Sequence, residues 1–185
     1  MLHPIFGHNS FYVKFKAPNH EQLTNFVLNK EENYDDFGWT RNCELHTILC
    51  KWQETTDLFQ PSVHKFSESI GKKFSCTLYD PWINCYKRNS FQEIHDHSRY
   101  DIACVFFPEV KEDFSKFFFY DRFGSTMSKS WVYIFDGPTN HYPSIESGDI
   151  LFFPGNMLHG VTPHKSDTVR KTISCNLNFD IIDTL

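Results

Sequence analysis

The sequence predicts a mainly β fold with a minority of helix (α+β), its strands closing into an antiparallel barrel or two-sheet jelly roll and its helices packed outside. Three observations carry this. Short β-rich runs follow one another from about residue 74 onwards, no helical periodicity separates them, and aromatic residues make up 17% of the 185 residues, with twenty Phe. Phe and Tyr fit the pleated, partly covered surface of a sheet. Strands this closely spaced, without intervening helices, are the pattern of barrels and jelly rolls.

Residues 1 to about 73 read as a strand followed by helical support. "SFYVKFKAP" is an aromatic opening strand. "NHEQLTNFVLNKEENY" sets Leu23, Phe26, Val27 and Tyr34 at helical spacing, with Asn19 as the N-cap. "QPSVHKFSESIGKKF" puts Val63, Phe66 and Ile70 on one stripe and ends near Gly71. Between them, "DDFGWTRNCELHTILCKW" gives a loop and then either a short strand or a short helix. The expected strands of the core are "FSCTLYD", "WINCYKR", "IACVFFP", "KFFFYD", "WVYIF", "DILFFPG" and "KTISCNLNF", punctuated by Asp, Pro, Gly, Ser and Asn. No repeat or linker interrupts them. Residues 1–185 are therefore expected to form a single domain, with 1–73 as support and 74–185 as the β core.

A formal charge of −5 argues against a general nucleic-acid binder, which normally carries a basic face. No apolar run approaches the roughly 20 residues of a membrane helix. "MLHPIFGHNSFYVKF" lacks the basic start and unbroken apolar core of a signal peptide, so the chain is expected in the cytoplasm. Six cysteines, with no CxxC pair, read as reduced thiols rather than as a disulfide framework or a thiolate zinc site.

The segment with most chemistry is "FQEIHDHSRYDIACVFF". On a strand, residues two apart share a face, so His95 and His97 present two imidazoles together while Asp96 points away. Paired neutral imidazoles suit iron, zinc, copper or nickel; the alternative is two surface histidines in a turn. His159 closes "GDILFFPGNMLH", just past a buried strand, where a barrel mouth would place it near the pair. Arg170 follows, and alternation sets it on one face with Thr172 and Ser174. Turned inward, it would demand an anion, because an unpaired buried charge is costly, and its planar fork suits a carboxylate. Turned outward, it would simply be solvated. Asn84 and Tyr86, in "INCY", share a strand face and could hydrogen-bond a polar ligand or merely pack in the core. The other histidines (His3, His8, His20, His46, His64, His141 and His164) have no paired spacing and read as surface or satisfied core residues, His164 in a polar turn. Lys165 and Lys171 read as solvated.

Together these residues resemble the 2-oxoglutarate and Fe(II)-dependent oxygenases, whose double-stranded β-helix core (a jelly roll of the cupin-like kind) carries an HxD/E…H metal triad and a later Arg or Lys. The matching positions are His95, His97, His159 and Arg170. "NCY" resembles the Asn-x-Tyr of the alkylated-DNA-repair branch. "EIHDHSRYDIACVFF", "GDILFFPGNMLHGVTP" and "RKTISCNLNF" are similar to a family of small oxygenases from bacteria and marine phages; a phage-encoded chain would act in the host cytoplasm. The resemblance spans roughly residues 80 to 180. It implies Fe(II) held by His95, His97 and His159, and 2-oxoglutarate clamped by Arg170 with Thr172, Tyr86 and Asn84. It also implies O2 as co-reactant and hydroxylation of a small-molecule or peptidyl substrate. The family's middle ligand is usually a carboxylate, whereas alternation offers His97 here. Asp96 would serve only if the strand bulges, and Asp101 only if the chain folds back.

A metal-binding cupin is the rival reading, since Gly148, Pro154 and His159 follow part of its second motif and His95, His97 and Asp101 the start of its first. Arg170 separates the two, because a cupin has no general need for it. A β-sandwich interaction domain with incidental histidines is a third reading, and catalytic zinc also accepts three histidines. The segment "DRFGSTMSKSWVYIFDGPTNHYPSIES" is long enough to be a binding lid. Substrate identity and homo-oligomerisation stay open.

Overall fold

The computed structural model of the protein describes residues 10–35, 42–122, 129–134 and 140–180. The N-terminal part gives β1 (Val13–Lys16), α1 (His20–Asn29), β2 (His46–Leu49) and α2 (Trp52–Ile70). Next come β3 (Cys76–Tyr86), β4 (Gln92–His95), β5 (Ile102–Phe107), β6 (Phe117–Tyr120) and a short α3 (Lys129–Ile134). The last strands are β7 (Asn140–His141), β8 (Asp149–Pro154), β9 (His159–Val161) and β10 (Arg170–Phe179). They form two antiparallel sheets, ordered β1-β8-β5-β10-β3-β2 and β4-β9-β6-β7, as a jelly roll requires.

The central strands of the larger sheet are buried on both faces, so their sequences are continuously apolar rather than alternating. Ile102, Cys104 and Phe106 of β5, Ile150 and Phe152 of β8, and Ile173, Cys175 and Leu177 of β10 pack against Leu23 and Val27 of α1 and Phe59 and Phe66 of α2. The intervening Ala103, Val105, Phe107, Leu151 and Phe153 face the smaller sheet and meet Phe117, Phe119 and Val161. The helices thus cover one face and the second sheet covers the other.

"FSCTLYD" and "WINCYKR" are one strand, β3, rather than two. Its register against β10 shifts between Ser174 and Asn176, opposite Trp82 and Tyr79. Pro81 lies in that bulge, where the missing N–H costs no ladder bond.

Asn19 does precede α1, but its side chain makes no cap; its Nδ2 donates instead to the Leu58 carbonyl of α2, 2.9 Å away. α1 ends at Asn29, and Tyr34 lies outside it, stacked on His46. α2 begins at Trp52, eight residues before the segment read as helical, and carries Pro61 inside it; buried Thr55 and Phe59 on the same stripe hold the earlier turns. Gly71 ends it in the left-handed conformation (φ 65°), its N–H donating to the Glu68 carbonyl. "WVYIF" is helical over 131–134, with Tyr133 and Ile134 exposed, so this apolar run joins neither sheet; apolarity alone does not distinguish a short strand from a helical turn. Lys171 is not solvated: its ammonium is largely buried and pairs with Glu32 at 3.3 Å. All six cysteines are free. No described helix is long and apolar enough to cross a membrane.

Candidate active site

β4 and β9 pair so that His95 lies opposite His159 and Gln92 opposite Val161. Three steps along β4 therefore match two along β9, which is a bulge at Glu93 and Ile94. Without it, Gln92 and His95 would face opposite ways; with it, both line the space between the sheets. His97 lies two residues beyond the end of β4, not on the strand as alternation suggested. A turn returns it to the site: its N–H donates to the Gly155 carbonyl at 2.6 Å, and the Gly155 N–H donates to the Asp101 carbonyl at 2.9 Å. Gly155 must be glycine for this, since a Cβ there would stand 2.1 Å from the Tyr100 carbonyl oxygen and 2.7 Å from that of His97.

The ligand atoms of His95, His97 and His159 all lie within 4.8 Å of one another, a spacing that could hold a metal ion. The rings of His95 and His159 are 4.3 Å apart, and His97 is 5.0 Å from the first and 5.2 Å from the second. Two of the rings are oriented by backbone. His95 donates Nδ1–H to the Glu93 carbonyl (2.7 Å) and His159 to the Met157 carbonyl (2.9 Å). Only protonated Nδ1 can do this, so each Nε2 keeps its lone pair for a cation. Phe153 and Phe117 flank His159 at 4.8 and 5.5 Å, and Trp82 flanks His97 at 5.6 Å.

Burial disfavours imidazolium at all three positions. It lowers the pKa of His95; it lowers that of His97 to about 4, aided by neighbouring His95; and it holds His159 well below the usual histidine range, again with His95 contributing. Near neutral pH these are three neutral imidazoles, ready for a divalent cation. Neither aspartate joins them. Asp96 takes the Ser98 N–H and pairs with Arg122 at 3.3 Å, while Asp101 accepts the Phe179 N–H at 2.8 Å. The strand does bulge, but before His95, and the bulge does not turn Asp96 inward.

The same cavity, of about 430 Å³, is lined by Asn84, Tyr86, Arg170 and Thr172 as well as by the histidines. All seven residues singled out in the sequence converge there. β10 and β3 pair Arg170 with Tyr86 and Thr172 with Asn84. Arg170 is only 3% exposed, and its guanidinium carbon lies 4.7 Å from the Tyr86 ring and 5.7 Å from the Phe107 ring. Its Nη1 has no hydrogen-bond partner. A buried guanidinium with an unmet donor is a demand for an anion. The Tyr86 hydroxyl is approached by both Arg170 and Thr172; burial raises its pKa and the guanidinium opposes the rise.

Sequence reasoning missed Thr47, Trp82, Gln92 and Asn176 in the cavity wall. Thr47 donates to Asn84 Oδ1 at 3.3 Å and thereby orients the amide. Asn176 lies on the inward alternation of β10, and its Oδ1 is buried without a partner. That periodicity was the available signal for it, whereas Thr47 sits in the one segment whose structure the pattern did not decide. Of the two readings left open for His164 the structure shows the satisfied core residue: it is fully buried, its Nδ1 accepts the Ser115 N–H at 3.2 Å, and its Nε2–H donates to the Thr168 carbonyl at 2.8 Å. His3 and His8 lie outside the described residues, as does much of the lid-like segment.

The donor set therefore fits a divalent metal at the histidines and a carboxylate-bearing ligand reaching Arg170. A family model of 2OG-Fe(II) oxygenases matches residues 80–176, which include all seven positions. No curated protein matches the chain in sequence. Among solved structures, the chain is similar to the non-heme alpha ketoglutarate dependent carbocyclase SnoK from nogalamycin biosynthesis, with TM-score 0.66 and 13% identity over 93% of this chain and 80% of that one. It is similar to a Pseudomonas putida prolyl-4-hydroxylase at TM-score 0.63 and 10% identity, covering 91% and 93%. A third is HygX from Streptomyces hygroscopicus, solved with nickel and 2-oxoglutarate bound, at TM-score 0.60 and 10% identity, covering 92% and 83%. At these identities the likeness is one of fold.

Proposed function

Because the chain belongs to the 2OG-Fe(II) oxygenase family, we propose that it is a hydroxylase of that family, coupling 2-oxoglutarate decarboxylation to oxidation of a C–H bond in a small-molecule or peptidyl substrate. Residues 1–185 act as one catalytic unit, with 1–73 bracing the β core. The six free thiols fit a reducing compartment such as the cytoplasm.

The observation that carries this reading is the buried, incompletely paired guanidinium of Arg170 in one cavity with three clustered imidazoles. A metal-binding cupin has no use for such a group. In this reading His95, His97 and His159 hold Fe(II), which supplies the redox chemistry that turns 2-oxoglutarate, dioxygen and a substrate C–H into succinate, carbon dioxide and an alcohol. The chain's own contributions are positioning and shielding. The Glu93 and Met157 carbonyls fix the tautomer and direction of two imidazoles. Arg170 takes the distal carboxylate of 2-oxoglutarate through its fork, and Thr172, Tyr86 and the amide of Asn84 complete that end. Three neutral imidazoles leave the cation's two positive charges to balance the 2-oxoglutarate dianion, so the metal with its ligands would be neutral without a protein carboxylate, and the Arg170 guanidinium adds one positive charge at the far end. Trp82, Phe117 and Phe153 keep water from the histidines.

The test is succinate release by Fe(II)-loaded protein in air. Slow 2-oxoglutarate-dependent succinate formation is expected even without added substrate. Protein that binds Fe(II) yet neither binds 2-oxoglutarate nor forms succinate contradicts the proposal.

A further inference from the structure

A second cavity, of about 470 Å³, shares only Arg170 and Phe117 with the walls of the first and contains none of the three histidines. Its remaining wall comes from Phe107 at the end of β5, the connection between β5 and β6, and residues 142–145 ahead of β8. Two buried polar groups of this wall lack partners: Arg170 Nη1 and the hydroxyl of Ser115, a residue only 7% exposed. The Ser115 backbone N–H already donates to His164 Nδ1 at 3.2 Å, so the orphaned hydroxyl is not needed there. A guanidinium can only donate, and a hydroxyl can donate; the chemistry that satisfies both is an acceptor, most strongly a charged one.

The charge of the wall agrees. Lys111, Lys116 and Arg170 stand against the single carboxylate Glu112, a positive excess in a chain whose net charge is −5. Lys111 stands over the ring of Phe114, another wall residue, at 5.2 Å, and its exposed pairing with Glu109 at 3.5 Å does not fully neutralise it. We propose that this cavity is an oxyanion site, taking a phosphate group against Arg170 and Ser115 with Lys111 and Lys116 at its mouth. Resting on the hydroxylase reading, a consequence follows: an anion here contends for the guanidinium that holds 2-oxoglutarate, so phosphate lowers affinity for that cosubstrate.

The site itself is tested without 2-oxoglutarate, by titrating the full-length protein with inorganic phosphate or glycerol 3-phosphate and following the 31P resonance. Saturable binding is expected. Binding of both probes means the oxyanion alone suffices, and binding of the ester only means the occupant carries its phosphate on an organic body. Ser115→Ala should weaken binding about tenfold and the exposed Lys111→Ala about threefold. No saturable binding, or binding indifferent to both substitutions, overturns the site. In a second titration phosphate should raise the 2-oxoglutarate Kd of the wild type and have little effect on Ser115→Ala. An equal effect on both would place the anion in the histidine cavity and overturn the coupling. Failure of the wild type to bind 2-oxoglutarate in phosphate-free buffer would instead count against the hydroxylase reading and leave the phosphate titration standing.

Discussion

On β10, Ile173, Cys175 and Leu177 face the helix-covered core, whereas Arg170, Thr172, Ser174 and Asn176, equally shielded from solvent, face the cavity of the histidines. The outer row gains from every apolar contact it makes. The inner row loses by its burial, and Arg170 Nη1 and Asn176 Oδ1 have no partner to offset it. A single strand thus has one face that stabilises the fold and one that draws on that stability to hold polar groups ready for a ligand. Burial alone does not distinguish the two; unmet hydrogen-bonding capacity does.

The largest expected break on the inner side is His159→Ala. It removes the most deeply buried of the three clustered imidazoles and should lose metal binding by more than the roughly 10- to 100-fold typical of removing a supporting partner; equilibrium dialysis with Fe(II) under nitrogen measures it. On the outer face, Ile173→Ala should cost about 2–5 kcal/mol of unfolding free energy by cavity formation while leaving 2-oxoglutarate affinity unchanged. Denaturant titration and ligand titration of the same variant check both halves.

Arg170→Met sharpens the contrast, because its two effects have opposite signs. Cosubstrate affinity should fall on the order of 100-fold with loss of a desolvated charge pair. The ligand-free protein should be as stable as wild type or more so, by up to about 1–4 kcal/mol, since an incompletely paired buried charge is replaced by an apolar chain of similar length. A lower melting temperature for ligand-free Arg170→Met would mean that the guanidinium is a structural prop.

The smallest expected effect is on pH. Unfolded imidazoles take up protons near pH 6.5, whereas burial keeps folded His97 neutral down to about pH 4. Between those values the unfolded state binds more protons, so the metal-free protein should lose stability as pH falls, by no more than about 1.4 kcal/mol per pH unit from this group. Stability that rises on acidification through this window would contradict the neutral assignment.

The parts legible in sequence were those with a short period. Alternation placed Arg170 and Thr172 on one face and Asn84 and Tyr86 on another, and β10 and β3 do bring the two pairs into register. His159 was legible by a different route, from its place just past the buried apolar run of β8. His97 does join the cluster, but not by alternation on a strand: a turn against Gly155 brings it there, and nothing local in "HDHSRYD" announces that contact. α2 was read short because the stripe of Val63, Phe66 and Ile70 was not followed back to Phe59 and Thr55, which are buried on the earlier turns. Lys171 was misread because its partner, Glu32, is distant in sequence.

The central claim is that the imidazoles and the guanidinium serve one ligand. The most direct measurement is an anaerobic visible titration of Fe(II)-loaded protein with 2-oxoglutarate. The account predicts a saturable charge-transfer absorption in the wild type, shifted to much higher 2-oxoglutarate concentration in Arg170→Met and absent in His159→Ala. Fe(II)-loaded wild type whose spectrum ignores 2-oxoglutarate, or an Arg170→Met titration that overlays it, would contradict the account.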